Sequence, residues 1–164
     1  MIEQHRSAIG NLTPEGGWHQ AERVRVSPLK PAEMSLFART AIRIINAVGK
    51  LDASNLFMML LRNFRLFKAW LGFAARMMPY GEIDRRDTEL VILRVGWNCR
   101  CRYEWGQHVD IGLRTALSED DIVQVPLGET APNFEPRIKA LMKACDEFHH
   151  QPHPVWPLCV CHWW

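Results

Sequence analysis

Arg86-Asp87-Thr88-Glu89-Leu90-Val91-Ile92-Leu93-Arg94-Val95 and, after a short break, Cys101-Arg102-Tyr103-Glu104-Trp105-Gly106-Gln107-His108-Val109 decide how this chain is read. From Leu90 to Trp97 the residues are apolar on nearly every helical face, with Arg94 the exception. A helix that is apolar all round is a buried one, so the pattern predicts a core helix from Arg85 to Trp97, opened by Asp84. Asn98-Cys99 interrupts it, and a second helix is predicted from about Cys101 to Leu117. A tight connection lets two such helices fold back against each other.

That hairpin gathers residues able to carry chemistry. Glu104 and His108 are four apart and share a helix face. Cys101, three before Glu104, shares that face one turn earlier, near the helix N-terminus, where the partial positive charge favours a thiolate. Folding back brings Glu89 of the preceding helix toward His108. A carboxylate, an imidazole and a thiol in one partly desolvated pocket make a general acid–base site. Each residue also has a plainer reading. A lone His on a helix is more often structural, a Glu–His pair four apart can be a weak surface contact, and a Cys in a helical domain is usually a small buried hydrophobe.

Outward from the hairpin the spacing stays helical. Apolar residues recur with a period of 3.6 from Ala32 to Val48, from Asn55 to Leu61 and from Asn63 to Met78. Asp52 or Ser54 can cap the second of these, while Gly49 and Pro79-Tyr80-Gly81 mark stops. Ser118-Glu119-Asp120-Asp121 is an acidic helix start, broken by Pro126 and Gly128. A last helix is predicted from Glu135 to Phe148. Val24 to Val26 alternates but is too short to found a sheet. The fold class is therefore all-α. Residues 1–32, rich in Gly, Pro and Asn, read as a loosely structured arm, 33–149 as the helical domain, and 150–164 as an atypical tail.

The composition agrees with one globular domain: 164 residues, 48% hydrophobic, formal charge +2. The charge gives no push toward nucleic acid or an anionic membrane. A spanning helix needs ~20 apolar residues, and the run from Leu56 to Leu61 is cut by Arg62. With no apolar leader at the N-terminus, a cytoplasmic protein with reduced thiols is expected. There is no phosphate loop or dinucleotide fingerprint. Glu89, Glu104 and His108 are possible metal ligands, but no fuller set is visible; neither a cofactor nor a metal is expected.

The two quoted segments closely resemble the carboxymuconolactone decarboxylase-like, alkyl hydroperoxidase D-like superfamily, in particular a branch with a Tyr-Glu-Trp-x-x-His signature. Leu61-Arg62-Asn63, Arg65-Leu66-Phe67-Lys68-Ala69-Trp70 and Asp146-Glu147-Phe148-His149 also fit that branch, so the likeness covers about residues 55–149. It implies an all-α fold, a small-molecule substrate, and assembly as a homo-oligomer, usually a trimer or hexamer. In the hydroperoxidase members the motif is Glu, Cys-x-x-Cys, then His four after the second Cys. Glu89, Cys101 and His108 match it, but Glu104 stands where the second Cys would be. A dithiol–disulfide cycle needs that partner; Cys99, two residues from Cys101, is a substitute only across the helix break.

The lactone decarboxylases need no thiol pair. By that likeness His108 is the acid–base, Glu104 a second proton carrier, and Glu89 fixes the imidazole tautomer. Arg94 or Arg102 would hold a substrate carboxylate, with Tyr103 and Trp105 lining the site. Three readings follow: an acid–base enzyme acting on a small carboxylated or lactone substrate, a thiol-dependent hydroperoxidase with an antioxidant, peroxiredoxin-type activity at Cys101, and an inactive helical scaffold. Past His149 the likeness stops abruptly, and the tail is expected to be a truncated or out-of-frame end, with its His153, Cys159, Cys161 and His162 a weak metal-binding pattern.

Overall fold

The computed structural model describes residues 9–20, 25–49, 55–78, 80–115 and 117–150. Among them every regular element is helical, as expected. No helix there is long and apolar enough to cross a membrane. The chain divides into two compact units, residues 23–82 and residues 1–22 with 83–164.

In the unit of residues 23–82, a 3-10 turn at Pro31–Glu33 precedes α1 (Leu36–Gly49), α2 (Asn55–Leu60) and α3 (Phe64–Met77). The periodic stretch from Ala32 does not start as one helix, because Ser35 intervenes. Its hydroxyl accepts the Ala38 N–H at 3.2 Å, the bond of an N-cap. Asn63 caps α3 in the same way, accepting from Leu66 N. Ala38, Ile42, Phe57, Leu60 and Phe67 form this unit's core. Asp52, Ser54 and Pro79 lie outside the described residues.

The other unit holds α4 (Arg85–Asn98), α5 (Arg102–Thr115), α6 (Glu119–Gln124), a 3-10 segment (Val125–Thr130) and α7 (Pro136–His150). Helix α4 is its centre and packs against each of the others. Leu90, Leu93, Trp105, Ile122, Val125, Ile138 and Met142 form the core. Helix α4 is not buried all round, however: Val95 is 45% exposed. At the expected acidic start of α6, Ser118 and Asp121 make a capping box.

The turn between α4 and α5 sets the register of the site. Arg100 adopts φ 53°, the left-handed region usual for glycine. Cys101 N then donates to Gly96 O (2.8 Å) and Arg100 N to Trp97 O (2.9 Å), the two bonds of a Schellman ending. Helix α5 therefore starts at once. The helices pack closely at Gly96, where a Cβ would meet Trp105 N at 3.5 Å and Glu104 Cβ at 3.6 Å, ordinary contact distances.

Residues 9–20 have little regular structure beyond a short helical piece at residues 9–11, yet they are not loose. Ile9 is buried in the core, and Leu12 and Trp18 pack against it. Trp18 meets Trp97 edge-on at 5.6 Å and lies 5.9 Å from Trp105. Residues 151–164, including the Cys and His pattern of the tail, lie outside the described residues.

Candidate active site

Three of the sequence-derived residues converge across the α4–α5 hairpin. Glu89 Oε2 lies 2.8 Å from His108 Nδ1. His108 Nε2 lies 3.6 Å from Glu104 Oε2, just beyond hydrogen-bond length. The side chains are progressively more open: Glu89 is 0% exposed, His108 13% and Glu104 22%. They form a line of titratable groups running outward from the core. Burial pushes the Glu104 carboxyl above its ordinary range, against the opposing pull of His108.

Cys101 lies just before α5, one turn ahead of Glu104, and is only 5% exposed. It carries a thiol and is not joined to Cys99; Cys99 is itself disulfide-bonded, which overturns the expectation of reduced thiols and removes Cys99 as a stand-in for the second thiol. Tyr103 is half-buried and Arg102 exposed in the first turn of α5. Trp105 turns the other way, into the core, 5.1 Å from Trp97.

Arg94 is not brought to this site. Five residues after Glu89, it points about 140° away around the helix. Its Nε and Nη2 each donate to a different oxygen of Asp146 at 2.7 Å. Its Nη1 donates to Val125 O and Pro126 O at 2.9 Å. With those donors committed, Arg94 ties α7 and the 3-10 segment to α4 rather than waiting for a ligand.

Sequence reasoning missed Arg85. Its Nη2 stands 2.8 Å from Glu89 Oε1, although the approach is too oblique to count as a hydrogen bond. The signal was available in the four-residue spacing of Arg85 and Glu89. Among the described residues, no group of three or more His, Cys, Asp and Glu side chains is arranged to hold a metal ion.

The frame of the site is an all-α unit in which a helix hairpin brings Glu89, His108 and Glu104 together. The carboxymuconolactone decarboxylase family model matches residues 65–147, just over half of the chain, and the chain belongs to that family. No curated protein and no solved structure matches it.

Proposed function

We propose that the protein is an acid–base enzyme acting on a small carboxylated or lactone substrate. His108 and Glu104 exchange the proton, and Glu89 orients the imidazole. One observation carries this reading: the line Glu89–His108–Glu104, with exposure rising from 0% to 13% to 22%. Proton transfer at a carbon beside a carboxylate or lactone carbonyl needs a base at the surface of the site and a partner behind it to take up the charge. Glu104, the outermost group, has a raised affinity for its proton, which suits it to donate as well as accept. Arg102, exposed on the same helix, is the candidate for a substrate carboxylate; Tyr103 stands beside it in sequence.

The hydroperoxidase reading keeps Cys101 as the attacking thiol, but Glu104 occupies the position of the resolving thiol. The two separate in one set of assays. On carboxylated lactones, His108→Ala and Glu104→Gln should each lower kcat on the order of 10²–10⁴-fold, while Cys101→Ser retains activity. If wild type instead consumes an alkyl hydroperoxide and Cys101→Ser does not, the thiol reading replaces this one. Turnover of neither substrate class would favour a scaffold.

A further inference from the structure

The contact between Glu89 and His108 fits two protonation patterns. An ionised Glu89 would accept a hydrogen bond from Nδ1–H and leave Nε2 bare toward Glu104. A protonated Glu89 would donate to Nδ1, and the imidazole would carry its hydrogen on Nε2. Only the first gives a base at Nε2.

Arg85 decides between them. Its guanidinium is charged at any working pH, and Nη2 lies 2.8 Å from Glu89 Oε1, the oxygen that His108 does not use. Three neighbouring charged groups of the same helix are engaged elsewhere: Arg86 with Asp121 (2.6 Å), Asp87 with Arg137, and Arg94 with Asp146. Glu104 faces His108 from the same helix. We propose that Arg85 is a positioning residue that holds Glu89 ionised and so fixes His108 as the Nδ1–H tautomer, with Nε2 free to take a proton.

Helix stability does not account for an arginine at this place. Arg85 is the first residue of α4, where the helix end is already positive and an acidic residue is favoured. The order Arg then Glu at four residues is the weaker orientation of such a pair. Arg85 Nε is buried without a hydrogen-bond partner, and so is Glu89 Oε1. The pair is therefore poor as a helix or hydrogen-bonding device and useful as a source of charge. Its side chain is 32% exposed, so the charge is delivered from the rim to a wholly buried carboxylate.

The inference bears on the acid–base reading, but its test needs no substrate and so can fail separately from it. The tautomer of His108 is read by ¹⁵N NMR of the imidazole nitrogens in wild type, Arg85→Lys and Arg85→Gln. Wild type and Arg85→Lys are expected to show neutral His108 protonated on Nδ1. Arg85→Gln is expected to lose that signature to the Nε2–H form; an imidazolium there would mean that Glu89 stays ionised without Arg85 and would overturn the inference. A wild-type Nε2–H tautomer overturns the inference even if no variant folds. So does an Arg85→Gln protein whose His108 spectrum matches wild type.

Discussion

Glu104 combines two demands that pull against each other. Desolvation raises its pKa, so the folded chain holds this proton more tightly than the unfolded one. As pH rises, the unfolded carboxyl ionises first, at its ordinary value near 4.5. Stability then falls with rising pH until the folded pKa is passed, and the loss persists above it; below the window both states are neutral and there is no penalty. Glu104→Gln should therefore melt at a higher temperature than wild type near pH 8, and at about the same temperature near pH 3. Thermal melts at the two pH values check this, and an equal offset at both would point to packing instead. Glu89, Glu104 and His108 were legible in the sequence because helical spacing alone puts them on facing sides of a hairpin. Arg85 was not singled out, since an i,i+4 Arg–Glu pair is usually a solvated surface contact; only the depth of Glu89 makes it more than that.

At the scale of elements, the informative positions are joints. Arg94 clamps α4 to α7 through Asp146, which also accepts from Asn98 Nδ2 at 2.7 Å. Partial burial pushes the Asp146 carboxyl up, but the Arg94 and Asn98 hydrogen bonds and the Arg94 charge outweigh it and hold the pKa below its usual value. The stabilisation is thus present above the unfolded value, 3.8, and is lost as pH falls through the lower folded one. Asp146→Asn should cost about 2–3 kcal/mol at neutral pH and much less near pH 2, as read by chemical denaturation. Gly128 is part of the same joint: at φ +59°, an added Cβ would lie 2.6 Å from Arg94 Nη2. The Arg100 turn gives the opposite expectation. A non-glycine residue in the left-handed region is strained, and Arg100→Gly should gain about 0.5–1 kcal/mol, net of glycine's greater chain entropy. Unchanged stability would mean that the Arg100 Nη1 contact to Gly16 O compensates. The sequence shows where helices start when the signal is local, as at Ser118 and Asn63. It does not show that Arg94 belongs to Asp146, because 52 residues separate them and any acidic residue reads alike.

At the scale of the molecule, each unit has its own core, and the candidate site lies wholly within the one containing α4 to α7. Leu36, Phe37, Phe73 and Met77 of the other unit are exposed. The resemblance leads to the expectation of a homo-oligomer, so light scattering should give three or six times the 19.0 kDa chain mass. A mass of one chain would refute that. The 14 residues after His150 have no family character, and a chain ending at His150 is expected to keep a cooperative melting transition. The N-terminal segment was the least legible part, since its Gly, Pro and Asn content describes local turns while Trp18 is held by residues about 80 positions away. Three indole rings, from Trp18, Trp97 and Trp105, lie between 5.1 and 5.9 Å of one another. Chromophores at that spacing couple optically, so the near-ultraviolet circular dichroism of the protein carries a built-in gauge of whether residues 9–20 are docked.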